Sequence, residues 1–312
     1  MLKNNKIKSS EILVLWDVML DKYSYWNVKR LNPEWPNPLL NIKKEEYKLW
    51  GSANVAANIS SLNWTCDLIW IVWDDDNQEV FQAKCSDNNI RFHKIISCYP
   101  TITKCRFIEN TYNQQLLRVD YEKFFHINSS DIEKIMGIIK ENNYKLIVIS
   151  DYNKWIITEE LINKIKEYSV KNDIKVLVDS KPYNFTLFKD FYLIKPNFRE
   201  FCKMIKTEIK NSDEDIKKYA LEFAKKMNTN LVITRWAKWA SLITKSWECF
   251  HMETKSQKVF DVTWAWDTFI ATIAYAIYNW IDLKKAVKFW NKASSVVIEK
   301  VWTAVIKSEE LF

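Results

Sequence analysis

Residues 146–179 read LIVISDYNKWIITEELINKIKEYSVKNDIKVLVD, and this segment is the clearest indication of the architecture. Its two ends, Leu146–Ser150 and Lys175–Asp179, are short apolar runs that predict strands, and Thr158–Asn172 between them predicts an amphipathic helix. Strands that are apolar throughout are typical of a parallel sheet that is covered on both faces. The segment therefore predicts one strand–helix–strand unit of an α/β fold.

The same alternation of strands and helices extends along the chain in both directions. Further strands are predicted at Ile12–Leu15, Asp67–Val72, Phe191–Lys195 and Asn230–Thr234, with an antiparallel edge within 242–262. Further helices are predicted at 51–62, Ser130–Asn142, Phe198–Ile205, Asp213–Met227, Trp266–Asn279 and Asp282–Lys300. Two segments, at about 22–48 and 93–121, alternate as exposed strands do and are predicted to be insertions that form a small β lid. The predicted architecture is an α/β three-layer sandwich with a mainly parallel sheet, in one domain over residues 1–312.

Composition and charge argue against several other classes of protein. Hydrophobic residues make up 48% of the 312 residues and charged residues 27%, the balance of a soluble globular chain. No stretch approaches the roughly 18 apolar residues of a membrane span. The 6 cysteines form no CxxC pair, so we expect a cytoplasmic protein without a zinc site or a disulfide framework. The net charge of +7 is spread along the chain, which indicates a lysine-rich, solvated surface or else affinity for small phosphorylated molecules, with nucleic acid as the third alternative.

Five short motifs carry the residues that are suited to chemistry. They are WDVMLD at 16–21, WGSANVA at 50–56, KPNFRE at 195–200, TRWAKWA at 234–240 and DVTWAWDTF at 261–269. If the tryptophans are read as glycines, the last motif becomes DVTGAGDTF, and the first two become GDVMLD and GGSANVA. In that form the chain, from about Ile12 to Leu311, resembles the PfkB (ribokinase-like) family of carbohydrate kinases. The resemblance implies that the α/β sandwich is ribokinase-like.

The DVTWAWDTF motif stands before a predicted helix, where small residues would leave backbone N–H groups free to bind an anion. By the resemblance, the backbone of Trp264, Ala265 and Trp266 forms an anion hole for the transferred phosphate. Asp267 is then the general base that takes the proton from the substrate hydroxyl. The alternative is that Asp267 only complements the dipole of the helix.

The resemblance also implies an ATP site and a Mg²⁺ site. The residues expected to bind ATP are Asn197, Phe198, Arg199, Glu200, Thr234, Trp236, Lys238, Trp239 and Asn291. Glu200, together with Asn197, is expected to organise Mg²⁺ indirectly, since this ion keeps part of its water shell. ATP and Mg²⁺ are therefore the predicted cofactors.

Eight residues are expected to bind the sugar substrate. They are Asp17, Asp21, Gly51 and Asn54, from the first two motifs, and Lys104, Arg106, Arg118 and Lys181. The carboxylate and amide oxygens suit sugar hydroxyl groups, and the four basic side chains suit a distal phosphate. The alternatives are turn-forming and helix-starting roles for Asp17 and Asn54, and a solvated surface for the basic residues.

Two further strings, PTITKCR at 100–106 and NQQLLRVD at 113–120, narrow the resemblance within the family. They make the chain similar to the D-glycero-β-D-manno-heptose 7-phosphate kinases. This similarity implies phosphorylation of the anomeric hydroxyl of that sugar phosphate, a homodimer paired through the lid, and a separate adenylyltransferase that acts downstream. The alternatives are a PfkB kinase that acts on ribose or fructose, and a non-catalytic pseudokinase.

The tryptophans are unusual in number and in position, since the chain has 16 of them and only 2 glycines. Those that stand where the family has glycine are Trp16, Trp50, Trp73, Trp155, Trp236, Trp239, Trp264, Trp266 and Trp302. Trp26, Trp64, Trp70 and Trp280 lie at predicted turns or element ends, and the pattern leaves Trp35, Trp247 and Trp290 undetermined. The simplest hypothesis is that the codon UGA encodes glycine in the source organism. Genuine tryptophans would instead favour the pseudokinase.

Overall fold

The computed structural model describes residues 10–31, 38–62, 64–72, 74–97, 100–123, 126–154, 156–235, 238–252 and 265–288, with the backbone alone for 28–31, 38, 265 and 266. Its strands are β1 (Ile12–Leu15), β2 (Val18–Leu31), β3 (Pro38–Gly51), β4 (Cys66–Val72), β5 (Ile90–Ile96), β6 (Thr103–Glu109), β7 (Gln114–Tyr121), β8 (Leu146–Ser150), β9 (Lys175–Asp179), β10 (Leu193–Ile194), β11 (Asn230–Thr234), β12 (Ala240–Ile243) and β13 (Cys249–Met252). Its α-helices are α1 (Ser52–Ser61), α2 (Asp76–Asp87), α3 (Ser129–Glu141), α4 (Glu159–Lys171), α5 (Phe198–Met204), α6 (Asp213–Met227) and α7 (Ala265–Tyr278).

The main sheet has nine strands in the order β13-β12-β11-β10-β9-β8-β1-β4-β5 within the described residues. The strands from β11 to β5 are parallel to one another, and β12 and β13 extend the sheet as an antiparallel edge. Every residue of β1, β4 and β8 is buried. Because successive side chains of a strand point to opposite faces, these strands are covered on both sides. The fold is therefore the α/β sandwich that the sequence predicts.

Side-chain caps fix where several of the helices begin. The Thr158 hydroxyl accepts a hydrogen bond from the backbone N–H of Leu161 at the start of α4, and Ser212 does the same for Asp215 in α6. Each cap satisfies one of the backbone donors that a helix N-terminus leaves without a partner. The predicted helix boundaries consequently agree with the structure to within about two residues, the usual spread between boundary definitions.

The lid is a separate four-stranded sheet in the order β3-β2-β6-β7. Its two longest strands, β2 and β3, are 14 residues each and pair in antiparallel fashion. The lid begins earlier than the predicted position 22, because β2 starts at Val18 directly after the turn that follows β1. Strand β2 also pairs in parallel with β6, which joins the two insertions into one sheet.

Four sequence predictions differ from the structure. The second insertion was expected to begin at about His93, but β5 carries this residue in the main sheet, in register with β4. Helix α2 was not predicted, because its sequence has no clear apolar face. In the structure only three of its side chains are buried. Trp26 and Trp70 lie inside strands rather than at element ends, Trp26 at a register irregularity between β2 and β3.

The predictions for the C-terminal part are only partly covered by the structure. Residues 283–288 are helical, and the rest of the helix predicted at Asp282–Lys300 lies outside the described residues. Within the described ranges, no helix is both long and apolar enough to cross a membrane.

Candidate active site

The predicted site residues gather where the parallel strands of the main sheet end. Asp17 follows β1 and Asn197 follows β10, and two acidic residues that were not predicted lie at the same edge: Asp151 follows β8, and Asp179 is the last residue of β9. The carboxyl ends of parallel strands meet at one edge of a sheet, and this edge is where open α/β sheets bind their ligands. The strand order places β8 next to β1, so Asp17 and Asp151 come from neighbouring strands.

A tight backbone approach at Gly51 brings α1 against the turn after β1. Gly51 has φ of 67°, and a Cβ atom there would lie 2.1 Å from the carbonyl oxygen of Asp17. The backbone N–H of Ser52 donates to that same oxygen at 3.3 Å. Glycine is therefore required at this position both for its φ angle and for the space. The first turn of α1, which carries Asn54, is thereby held beside Asp17.

Asp267 lies in the first turn of α7 and is 2% exposed. Its Oδ2 accepts a hydrogen bond from Asn54 Nδ2 at 2.8 Å, and its Oδ1 accepts one from the Tyr152 hydroxyl at 2.8 Å. Burial raises the pKa of Asp267 to about 6, and the two donors oppose that rise by stabilising the charged form. A carboxylate with such a pKa is charged at neutral pH and is still basic enough to accept a proton in a reaction.

Asp17 is the second buried carboxylate of the site, with 1% exposure. Its Oδ2 accepts the backbone N–H groups of Tyr152 and Lys154. Burial, followed by the negative charge of Asp151, raises the pKa of Asp17 to about 7. Asp17 Oδ1 has no hydrogen-bond partner in the described part of the chain, although it is buried. A buried polar atom without a partner is costly, so this oxygen is suited to bind a ligand hydroxyl.

Three of the four predicted phosphate-binding residues surround the indole of Trp50. Lys104 Nζ lies 5.4 Å from the ring centroid, and the guanidinium carbons of Arg106 and Arg118 lie 5.6 and 5.9 Å from it. We call Lys104, Arg106 and Arg118 the lid cluster. Each member is paired with a carboxylate: Lys104 with Asp120 at 2.7 Å, Arg118 with Asp120 at 2.7 Å, and Arg106 with Asp21 at 3.2 Å.

Asp21 and Lys181 occupy different surroundings. Asp21 is fully buried in β2 beneath Arg106, and burial raises its pKa although the guanidinium opposes the rise. Lys181 follows β9 and lies away from the lid cluster, with Nζ 2.5 Å from Glu200 Oε1 and 5.6 Å from the centroid of the Tyr152 ring. The four basic residues are therefore not one group: three lie on the lid, and the fourth contacts the residues expected to bind ATP.

The residues predicted to bind ATP form a second group around the start of α5. Asn197 caps this helix: its Oδ1 accepts from the Glu200 N–H at 2.9 Å, and its own N–H donates to Glu200 Oε2 at 2.9 Å. A β-bridge joins Asn197 to Thr234 at the end of β11. The Thr234 side chain is buried, and its hydroxyl is without a hydrogen-bond partner in the part of the chain that the structure describes.

The remaining predicted residues differ in how far the structure describes them. Phe198 is half-buried, Trp239 is buried, and Arg199 and Lys238 are exposed. Trp236, Trp264 and Asn291 lie outside the described residues. Ala265 and Trp266 open α7, so their backbone N–H groups belong to the first turn, where a helix leaves its donors without intrahelical partners.

Comparison with known proteins identifies the family to which this arrangement belongs. Residues 11–309 match the family described as pfkB family carbohydrate kinase. The chain belongs to the PfkB family. As a PfkB protein it is a carbohydrate kinase, a phosphotransferase whose acceptor is an alcohol group of a sugar.

Curated relatives and solved structures agree with this assignment. The bifunctional protein HldE of Haemophilus influenzae (strain PittEE) is 31% identical over 310 residues, which cover 98% of this chain and 63% of that protein. HldE of Haemophilus ducreyi is 33% identical, over 98% of this chain and 64% of that protein. The PfkB chain thus spans less than two thirds of the length of these relatives.

The solved structures show that the PfkB chain has a ribokinase-like fold. Phosphofructokinase-2 from Escherichia coli, in complex with potassium, superposes with a TM-score of 0.81 at 16% identity over 97% of both chains. Ribokinase of Arabidopsis thaliana, complexed with ribose and ATP, superposes with a TM-score of 0.71 at 15% identity over 97% of both chains.

Two residues near the PfkB site were not predicted from the sequence. Tyr152 donates to Asp267 and has no role among the residues predicted from the sequence. Arg235 follows Thr234 and is 1% exposed. Its guanidinium donates to Asn211 at 2.7 Å, to Asp213 at 2.6 Å and to Ser241 at 2.9 Å, which anchors the loop that begins after β11. The sequence offered one signal for Arg235, namely that it is a charged residue inside the TRWAKWA motif.

An ion pair close to Asp267 was also missed. Lys195 Nζ lies 2.9 Å from Asp179 Oδ2, and both charges act on the pKa of Asp267, Asp179 raising it and Lys195 lowering it. The signal in the sequence was that both residues stand at the ends of predicted strands, where polar side chains at the same sheet edge come close together.

The dependence of activity on pH follows from these shifts. We expect kcat/KM of this PfkB kinase to fall as the pH drops below about 6, because Asp267, if it is the base that the sequence predicts, accepts a proton only when it is deprotonated, and burial raises its pKa from 3.8 to about 6. The measurement is kcat/KM against pH, with Asp267→Asn as the control that removes this titration. Asp17, whose pKa is about 7, titrates in the same range and remains in the control. A wild-type profile that stays flat below pH 6 would contradict the expectation.

Proposed function

We propose that this PfkB chain transfers the γ-phosphoryl group of ATP to the anomeric hydroxyl of D-glycero-β-D-manno-heptose 7-phosphate, which gives the 1,7-bisphosphate. The observation that carries the proposal is the convergence of Lys104, Arg106 and Arg118 on one space in the lid, the space that the Trp50 side chain fills. If position 50 is glycine, this space lies open between three cations, which suits a phosphate. The motifs shared with the heptose 7-phosphate kinases support this substrate.

In the proposed reaction the two buried carboxylates have different tasks. Asp17 Oδ1 accepts a hydrogen bond from a sugar hydroxyl and holds the ring in place. Asp267 takes the proton of the anomeric hydroxyl as that oxygen bonds to the γ-phosphorus. The bond from the γ-phosphorus to the bridging oxygen breaks, and ADP leaves. Backbone N–H groups at the start of α7 stabilise the negative charge of the phosphoryl group in transit.

Glu200 and Asn197 would bind Mg²⁺ indirectly, through water molecules of its hydration shell. Both carboxylate oxygens of Glu200 already accept a hydrogen bond. Lys181 Nζ donates to Oε1 at 2.5 Å, and the backbone N–H of Asn197 donates to Oε2 at 2.9 Å. Among the described residues, no cluster of His, Cys, Asp and Glu could hold a metal directly. The donor set therefore fits the indirect role that the sequence predicts. When bound with ATP, the ion would neutralise phosphate charge.

We also propose that the protein is a homodimer whose lids pair across the interface. Strand β7 lies at the edge of the lid sheet and is almost wholly exposed, with Leu116, Leu117 and Tyr121 each about half exposed or more. An edge strand with exposed apolar residues is prone to pair with another chain.

The downstream adenylyltransferase on a separate polypeptide and the cytoplasmic location remain predictions from the sequence.

The substrate proposal predicts a specificity for the distal phosphate. We expect kcat/KM to be highest for the heptose 7-phosphate and lower for the unphosphorylated heptose, ribose and fructose. Arg118→Met should lower kcat/KM for the phosphorylated sugar by roughly 10–100-fold, because a charge-assisted hydrogen bond to phosphate is lost. It should leave the unphosphorylated sugars nearly unchanged.

Lys140→Met serves as the matched control, since this lysine is exposed in the last turn of α3. Equal turnover of the phosphorylated and unphosphorylated heptose would reject the heptose 7-phosphate as the preferred substrate. The kinase activity itself would then stand, with a different sugar.

A second candidate function is a PfkB kinase for an unphosphorylated sugar such as ribose or fructose. It is favoured by the pairing of each lid cation with a carboxylate: Asp120 bridges Lys104 and Arg118, and Asp21 binds Arg106. A cation that is already paired with a carboxylate gains less electrostatic energy from binding a phosphate. The same substrate panel separates the two candidates.

A further inference from the structure

Tyr152 connects Asp17 and Asp267, two buried carboxylates of the site. Its backbone N–H donates to Asp17 Oδ2, and its hydroxyl donates to Asp267 Oδ1 at 2.8 Å. Tyr152 follows β8, whereas Asp17 follows β1 and Asp267 begins α7, so the residue joins three elements that are far apart in the sequence. One residue therefore contacts both the carboxylate suited to bind the sugar and the carboxylate suited to act as base.

The hydroxyl completes the set of donors that orients Asp267. Asn54 Nδ2 donates to Oδ2 and the Tyr152 hydroxyl donates to Oδ1, so each oxygen of the carboxylate has one donor from the described part of the chain. A carboxylate has about four acceptor positions, so each oxygen keeps one for a substrate hydroxyl. With a donor on both oxygens, rotation of the carboxylate would break two hydrogen bonds at once. The base is thus held in one orientation before the substrate arrives.

Tyr152 is itself held in place and remains protonated. Lys181 Nζ lies 5.6 Å from the centroid of its ring, on the nucleotide side of the site. Burial and the charge of Asp267 raise the pKa of Tyr152 well above its ordinary value. The hydroxyl is consequently protonated at neutral pH and can donate its hydrogen bond to Asp267.

We propose that Tyr152 is a positioning residue: its hydroxyl orients Asp267, and its backbone N–H ties the same residue to the sugar-binding carboxylate Asp17. The inference rests on the proposed role of Asp267 as the base. Tyr152 does not exchange a proton with the substrate; it acts through the carboxylate that does. Removing its hydroxyl leaves the backbone contact to Asp17 in place and takes away only the donor to Asp267.

The test is Tyr152→Phe, compared with the parent enzyme in kcat, in KM for the sugar and in the pH profile. We expect kcat to fall by roughly 10–100-fold, the size of a lost hydrogen bond to a charged group. The KM for the sugar should change by less than about threefold, because Asp17 keeps its partners. The acid limb of the profile should move to higher pH, because the charged form of Asp267 loses a donor. The other charged groups that act on the pKa of Asp267, Asp179 and Lys195, are unchanged in this variant.

Two controls separate this role from a merely structural one. Tyr168→Phe removes the hydroxyl of a half-buried tyrosine in α4 and should leave kcat and the pH profile unchanged. The double variant Tyr152→Phe/Asp267→Asn should be no slower than Asp267→Asn alone, because Tyr152 acts through the base. A fall in kcat with an unmoved pH profile, or additive losses in the double variant, would overturn the proposal. Wild-type activity of Tyr152→Phe would overturn it as well, whereas wild-type activity of Asp267→Asn would instead reject the proposed base.

Discussion

Replacing Asp267 by asparagine is expected to lower kcat by roughly 10²–10⁴-fold, the usual effect of losing a general base. The substitution keeps the size and shape of the side chain but removes its capacity to accept a proton. One of the two donors at the site, Asn54 or Tyr152, would then face an amide N–H₂ group instead of a carboxylate oxygen. The binding of ATP should be largely retained, because no described contact of Asp267 involves the residues expected to bind the nucleotide.

The measurement is steady-state kinetics together with calorimetric titration of ATP and thermal unfolding. Asp173→Asn is the matched control: this exposed aspartate lies before β9, at the sheet edge opposite the site, and its φ of 53° also suits asparagine. The control should retain the parent activity. Near-normal turnover of Asp267→Asn would remove this residue from the mechanism and leave it as a carboxylate that complements the dipole of α7.

Peptide mass spectrometry of the protein from its native host is expected to find glycine at positions 264, 266 and 280, all within the fragment Val259–Lys284. The backbone angles support this expectation independently of the motifs. Among the residues that the structure describes, four tryptophans have positive φ: Trp16 at 76°, Trp239 at 54°, Trp247 at 66° and Trp280 at 60°. A left-handed conformation costs an L-residue with a Cβ roughly 1–2 kcal/mol and costs glycine almost nothing.

Trp247 and Trp280 make the backbone argument stronger, because the family motifs do not cover them. The sequence pattern left Trp247 undetermined, yet its φ of 66° is of the kind that glycine adopts. Trp280 follows α7 with φ of 60° and is 89% exposed, as befits a glycine that ends a helix. Trp26 and Trp70 do not show positive φ, so for these two positions the argument rests on the hypothesis of a reassigned codon alone.

The difference in activity between the two forms of the chain should be large. We expect the chain with glycine at the nine positions where the family has it to be an active kinase and the tryptophan form to be inactive and poorly soluble. Each indole forced into a glycine site would cost roughly 1–3 kcal/mol by overpacking, and a few such sites would exceed a typical stability of about 5–15 kcal/mol. Trp50 would also occupy the space among the lid cations where we place the distal phosphate.

The experiment is to express both forms in one host and to compare soluble yield and phosphate transfer to sugar. Tryptophan in the native peptide at 264 and 266 would contradict the glycine hypothesis and favour the pseudokinase. Kinase activity of the tryptophan form would show that the indoles do not block the site.

The sequence alone was sufficient for the strands and helices whose signals are local. The strands Leu146–Ser150, Lys175–Asp179 and Asn230–Thr234 were predicted with their observed ends, because a short apolar run between polar residues specifies a buried strand. The start of α4 at Thr158 and the placement of Asp267 in the first turn of α7 follow from residues within a few positions of each other. The family could be recognised for the same reason, since its motifs are contiguous strings.

Only the tertiary structure showed which distant residues meet. Tyr152 and Asp267 are 115 positions apart, and Asn54 and Asp267 are 213 apart, so no periodicity or motif spacing encodes their hydrogen bonds. These contacts depend on the strand order, which places β8 beside β1, and on the glycine at 51, which brings α1 against the turn after β1. The membership of β5 in the main sheet was missed for the same reason. An alternating strand has the same local pattern in a lid and at a sheet edge, and its partner is chosen by long-range pairing.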